Sequence, residues 1–202
     1  LKEMHLTPED IQLIQNDTKT CPDTGMAGAS RSLYMDGNAT IIAANKLLAA
    51  MRKEDGTLRT YDEMKAEGIE TKYLGRYETN TTPGLCRLDP NTGIGDPTPA
   101  FTYCLNLAEV EVDTKTGKTT VLKFTCVDFV GRIGNIDAVN GQAYSGIMHG
   151  IGFALKEDYA DVKKHANMFG AGTSYIKDVP DDINLIHIDG AISDGPFGSS
   201  GA

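Results

Sequence analysis

Three small-residue stretches hold the residues whose types and spacing suit chemistry. The first is Gly25-Met26-Ala27-Gly28-Ala29-Ser30-Arg31-Ser32, directly ahead of an amphipathic run. A helix start carries unpaired N–H groups and the positive end of the helix dipole. Gly28 and Ala29 let those groups reach an anion, Ser30 and Ser32 add hydroxyls, and Arg31 adds charge, a set that suits phosphate or pyrophosphate. The stretch lacks the lysine of a Walker loop and the glycine spacing of a GxGxxG fingerprint. On local grounds an ordinary loop with a serine N-cap is the alternative. The second candidate is Gly134-Asn135 with Gln142 near the start of a later helix; the amide both donates and accepts. A solvent-facing glutamine is the alternative there. The third is Gly195-Pro196-Phe197-Gly198-Ser199-Ser200-Gly201, dense enough in Gly and Ser for close backbone approach to a ligand, or simply a frayed tail. His149 reads as a packing residue. No Ser/His/Asp, Cys/His or paired-carboxylate arrangement follows from spacing, so no catalytic residue is assigned.

The elements that must position these residues follow from periodicity. Residues 9–17 alternate as a strand would. From Leu33 to Arg52, Ile41, Ile42, Leu47, Leu48 and Met51 recur at helical spacing. Gly56 signals its end. Thr60-Tyr61-Asp62-Glu63 reads as a capping box opening a short helix that Gly68 stops. Residues 69–78 are a candidate strand, and 80–99 form a long loop rich in Thr, Pro and Gly. Phe101–Asp113 and Lys118–Val130 read as an antiparallel hairpin about the turn DTKTGK. A helix is expected from Asp137 to Lys156, its Gly141, Gly146, Gly150 and Gly152 leaving room for a neighbouring backbone or ligand. The charged residues 157–168 continue it, and 183–189 make a final strand. There are no repeats and no linker composition divides the chain. The expected architecture is α+β, with long helices packed on a mixed or antiparallel sheet.

Composition narrows the function classes. The 202 residues are 40% apolar and 23% charged, with net charge −9. That is globular composition. An acidic chain without a basic stretch argues against nucleic-acid or membrane surfaces. The start, LKEMHLTPED, is no signal peptide and has no initiator Met, and the end is GPFGSSGA, so a segment of a longer polypeptide is expected. The four cysteines, Cys21, Cys86, Cys104 and Cys126, form no CxxC or other metal-ligand spacing, and the four histidines are scattered, so no metal ligand is assigned. Cys104 and Cys126 lie in apolar runs and are expected to be buried, whereas Cys21 and Cys86 lie in loops. Nothing demands a disulfide, which suits a reducing cytoplasm.

Taken together, CPDTGMAGASRS followed by DGNA, then AEVEVDTKTGKTTV, NGQAYSGIMHGIGFALKED, KKHANMFGAGTSYIKDVPD and DGPFGSSG resemble the second molybdenum-binding domain of the xanthine oxidase family of molybdenum hydroxylases. The likeness is strongest to its bacterial aldehyde oxidoreductases and runs over nearly the whole chain. Residues 1–202 are then part of a molybdopterin-dinucleotide-binding domain. The resemblance implies a parent enzyme that hydroxylates aldehydes to carboxylic acids with water-derived oxygen. Its cofactor is expected to be molybdopterin cytosine dinucleotide with molybdenum, with iron–sulfur clusters elsewhere in the parent. Expected partners are the remaining domains, an aldehyde substrate and, in the parent, a second copy as a homodimer.

Residue by residue, Gly28, Ala29, Ser30, Arg31 and Ser32 match the family segment that binds the cofactor's phosphates and pterin side, and Gln142 matches a glutamine bonded to the cofactor near the metal. His149 stands where relatives often carry Gln. The family's catalytic glutamate follows the PFGSSG stretch and would fall two residues beyond Ala202, so the segment alone is expected to be inactive. The alternatives are a non-catalytic assembly module of the same fold, or a segment of a xanthine or N-heterocycle hydroxylase.

Overall fold

The computed structural model describes residues 2–200 except 16, 26–27, 80–87, 96–97, 99 and 162. The chain divides into two compact units, Leu1–Pro99 and Ala100–Ala202, at the end of the predicted 80–99 loop. Packing sets this boundary where composition marked no linker; most of that loop, with Cys86, lies outside the described residues.

The first unit is built on α1 (Ser32–Met51) and the short α2 (Tyr61–Ala66), close to their predicted spans. Arg59 closes the end of α1: its guanidinium donates to the carbonyls of Arg52 at 2.9 Å and Ala50 at 3.3 Å, and to Glu67 Oε2 at 2.7 Å. Carbonyls at a helix end have no partner within the helix, and a cation suits the negative end of its dipole.

The capping box forms as predicted. Thr60 N–H donates to Glu63 Oε2 at 2.7 Å, and Glu63 N–H donates to Thr60 Oγ1 at 3.2 Å. Lys53 Nζ sits 2.9 Å from the same carboxylate. With Thr60, it holds the Glu63 carboxyl down at about 2, Lys53 being the larger cause.

Residues 9–17 and 69–78 are not strands. Pro8–Asp10 is a 3-10 turn, and neither stretch has a ladder partner among the described residues. Alternation supplied the pattern, but a strand requires a neighbour to take its N–H and C=O groups. Residues 74–77 pack on α1 instead. Lys46 Nζ donates to Leu74 O at 2.9 Å, and the Tyr34 and Tyr77 rings meet edge-on with centroids 5.9 Å apart. A Cβ on Gly75 would lie 1.8 Å from Ala39 O, so only glycine lets this segment reach the helix backbone.

The second unit is a three-stranded mixed sheet, ordered β1-β2-β3, with a helix against it. β1 (Tyr103–Val112) and β2 (Thr119–Phe129) form the predicted hairpin, with a register shift at Glu109/Val110. β3 (Asp182–His187) pairs parallel to β2. In the turn, Asp113 Oδ1 accepts from Lys115 N–H at 2.8 Å, Asp113 Oδ2 from Thr116 Oγ1 at 2.8 Å, and Gly117 supplies φ +74°.

α3 (Ile136–Leu155) is capped by Asn135, whose side chain accepts from Ala138 N–H at 3.1 Å. Its buried stripe includes Val139, Ile147 and Ile151, spaced in multiples of four residues on one face. Ile147 and Ile151 pack with Cys126 against Val121, Phe124, Ile183 and Leu185 of β2 and β3. Burying each such side chain contributes about 1.5–3 kcal/mol. The expectation of helices packed on a sheet therefore holds for α3. In the first unit the described residues form no sheet for α1 to cover.

Two further expectations change. Residues 157–168 do not prolong α3. Asp158 and Asp161 side chains accept the N–H groups of Ala160, Lys163 and Lys164, local bonds that compete with a helix, and the chain resumes at the short α4 (Met168–Ala171). Cys104 is exposed, because β1 is an edge strand and α3 covers the other two; Cys126 is buried as expected. Among the described residues no helix is long and apolar enough to cross a membrane.

Two predictions follow from these contacts. Gly75→Ala should lower the stability of the first unit by about 3 kcal/mol through overpacking against α1. Gly141→Ala, where a Cβ meets nothing within 4 Å, should be neutral or raise stability by up to about 1 kcal/mol. Equal urea midpoints for the two variants would contradict the close approach at Gly75. The second concerns pH. A carboxyl held below its unfolded value stabilises the fold above that value, and the contribution is lost as pH falls through the folded one. Stability should therefore drop between about pH 4.5 and 2 by more in the parent protein than in Glu63→Gln, as read from urea melts across that range.

Candidate functional site

In the first unit the expected anion loop sits as predicted at the start of α1, with an unusual backbone. Ala29 and Ser30 have φ of +55° and +53°, the left-handed region that non-glycine residues rarely adopt. Arg31 then returns to φ −93° at the cap position, and its N–H donates to Gly28 O at 3.4 Å. The backbone thus changes hand between Ser30 and Arg31, directly at the start of α1.

The serine N-cap is replaced by Arg31, which gives no side-chain bond to the first turn, and the first turn holds no acidic residue. Gly28 and Arg31 are half-buried; Ala29, Ser30 and Ser32 are exposed. Positive φ at two such residues costs about 1–3 kcal/mol each, and strain of this kind clusters at ligand-binding sites. Further along α1, the Asn38 side-chain Nδ2 is buried without a hydrogen-bond partner. A cleft lined by Glu3, His5, Arg52, Gly56, Thr57 and Leu58 contains none of the candidate residues.

In the second unit the Gly/Ser stretch packs on residues 130–132, just ahead of the Gly134-Asn135 stretch. The Gly/Ser segment is not a frayed tail: Ser199 is fully buried and bridges to Gly131, and Ser200 N–H donates to Val130 O at 2.9 Å. Gly131 has φ +79°, and a Cβ there would lie 2.4 Å from Gly198 O. The segment thus lies against the residues leading into α3. Arg132 Nη1 adds an ion pair to Asp189 at 3.2 Å. Within this segment, Phe197 has φ +56° and is exposed, and the Ser200 hydroxyl is buried with no hydrogen-bond partner. Buried polar groups are satisfied in the great majority of cases, so this hydroxyl is suited to a ligand or partner atom.

Gln142 lies on the exposed side of α3, as does His149. Gly141, Gly146 and Gly150 face open space, whereas Gly152 packs against Ser174 and Glu157. No group of three or more metal-ligating side chains forms among the described residues.

Sequence reasoning missed one feature beneath this region. His187 of β3 bonds through Nδ1 to Asp128 Oδ1 at 2.6 Å and through Nε2 to Asn140 Oδ1 at 2.7 Å. The two charged-type side chains are 10% and 11% exposed, so the network is nearly sealed from water. It joins β2, β3 and α3, two residues before Gln142. The available signal was Asp128 in the apolar run CVDFV, since a carboxylate placed among buried residues demands a partner.

A three-stranded sheet with one helix seated on it, and a Gly/Ser segment packed on the residues leading into that helix, give the second unit an α+β fold. Comparison with known proteins identifies it: residues 1–180 match the molybdopterin cofactor-binding domain, and the chain belongs to that family, within the xanthine oxidase family of molybdenum hydroxylases. It is 41% identical over 201 residues to the aldehyde oxidoreductase of Megalodesulfovibrio gigas, covering 100% of this chain and 22% of that protein. It is 28% identical to a probable hypoxanthine oxidase of Escherichia coli K12, over 97% of this chain and 22% of that one. Among solved structures, the aldehyde oxidoreductase of Desulfovibrio desulfuricans superposes with TM-score 0.82 at 42% identity, over 99% of this chain and 22% of that one. The chain thus spans 22% of the length of these relatives.

Because His187 ties α3 to the sheet, His187→Ala should destabilise the second unit by about 3–5 kcal/mol, leaving a buried carboxylate unpaired. Asp128→Asn, which keeps an acceptor oxygen, should cost clearly less. Urea melts followed by near-ultraviolet circular dichroism measure both, and a His187→Ala loss under about 1 kcal/mol would contradict the tie.

Proposed function

We propose that this chain is the cofactor-holding segment of a cytoplasmic molybdenum hydroxylase that converts aldehydes to carboxylic acids with oxygen drawn from water. The observation that carries this reading is the strained Ala29–Ser30 backbone at the start of α1, in a chain that belongs to a molybdopterin-binding family. A phosphate fits that start. The first turn holds no acid, the Ser30 and Ser32 hydroxyls are exposed, and Arg31 adds a cation. Gly28 to Ser32 would hold the phosphates and pterin side, and Gln142 would bond the cofactor nearer the metal. The molybdenum pterin, in its cytosine dinucleotide form, supplies the two-electron oxidation when bound, and this chain supplies binding and orientation. None of its residues is assigned the catalytic base. The remaining domains of the parent, with its iron–sulfur clusters, complete the enzyme, which we take to be a homodimer.

Likeness to the probable hypoxanthine oxidase supports a second reading, hydroxylation of an N-heterocycle. Steady-state turnover of the purified enzyme with benzaldehyde against hypoxanthine separates the two.

Bonds to a charged ligand contribute about 1.5–3 kcal/mol each, or roughly 10–100-fold in affinity. Ser30→Ala and Gln142→Ala should therefore each lower molybdenum and nucleotide content per protein, measured by mass spectrometry of metal and released nucleotide. Full cofactor loading in both variants would remove the site assignment.

A further inference from the structure

Cys104 on β1 and Cys126 on β2 bring their Sγ atoms to 3.6 Å across the hairpin. Both are free thiols, Cys104 exposed and Cys126 buried. Each has one proton. The Cys104 S–H has an acceptor in Asn106 Oδ1 at 3.6 Å, which leaves the Cys126 S–H to donate to the Cys104 sulfur. The ladder pairs Cys104 with Asp128 and Asn106 with Cys126, so the two cysteines are diagonal neighbours on one face.

Diagonal residues in an antiparallel pair lie about 7–8 Å apart. A disulfide wants Cα atoms about 4.4–6.8 Å apart and sulfurs at about 2 Å. A direct S–S bond would therefore have to draw the strands together. A single soft atom set between the sulfurs asks for no such movement, because each sulfur bonds to that atom and not to the other sulfur. We propose that Cys104 and Cys126 form a two-thiol site for a thiophilic centre, of the trivalent arsenical class, that bridges both sulfurs.

The chemistry balances without a redox step. An organoarsenic oxide bonds both sulfurs, its oxygen leaves as water with the two thiol protons, and arsenic stays trivalent. The exposed Cys104 makes the first bond. Burial, then its bond to Cys104, pushes the Cys126 thiol up to about 12, so this sulfur gives up its proton only as the second bond closes.

The purified whole protein, reduced and then desalted, is treated with phenylarsine oxide and washed in excess 2-mercaptoethanol. The expected result is that Cys104→Ser retains one arsenic fewer per chain than the parent protein, that Cys126→Ser matches Cys104→Ser, and that Cys21→Ser keeps the parent value. The dithiol 2,3-dimercaptopropanol should strip the difference where the monothiol does not. Cys104 is exposed, so its replacement leaves the buried packing intact and the comparison valid even if Cys126→Ser fails to fold. Equal arsenic in the parent and Cys104→Ser overturns the proposal. So does a Cys104–Cys126 disulfide that forms readily with diamide, seen as a cross-linked peptide pair by mass spectrometry.

Discussion

A buried carboxylate ties two strands and a helix of the second unit together. Asp128 is nearly sealed from water, and an unpaired charge in such a place is costly. It is paired by His187, which sits directly opposite it in the parallel ladder, and the far side of that ring is held by Asn140. A slip of β3 by one residue would turn His187 to the other face of the sheet and strand the carboxylate. The network therefore selects the register of β3, and through Asn140 it fixes the second turn of α3 over the sheet. The apolar stripe of Val139, Ile147 and Ile151 supplies attraction without that positional choice, since hydrophobic burial is non-directional.

Both candidate binding regions rest on backbone more than on side chains. At the start of α1, two residues that are not glycine hold left-handed φ. Near α3, Gly131 lets its backbone approach Gly198 O, and Gly198 lets its own approach Ala191, to distances that a side chain would block. Asn38 Nδ2 and the Ser174 and Ser200 hydroxyls are buried without a hydrogen-bond partner.

An aldehyde oxidoreductase and a probable hypoxanthine oxidase match this chain at 41% and 28% identity, each over 22% of its own length. The family that the shared part defines is a cofactor-binding one, and a single fold commonly hosts many reactions.

Local order was legible in the sequence. Periodicity located α1 and α3, the Thr60/Glu63 pair located α2, and alternation on both sides of DTKTGK located the hairpin, because each of these depends on residues a few positions apart. The loop ahead of α1 was legible as a helix start rich in small residues, and the family was legible from ordered motifs. Tertiary structure decided what depends on distant partners. Residues 9–17 and 69–78 alternate but have no ladder among the described residues, Cys104 is exposed because α3 covers β2 and β3 but not β1, and residues 195–200 pack into the fold because Gly131 lies 68 positions before Ser199 and bridges to it. The pairing of Asp128 with His187 spans 59 positions. Composition and spacing record which groups a chain carries, but whether a buried charge, a strand or a thiol finds its partner is settled only when the chain closes on itself.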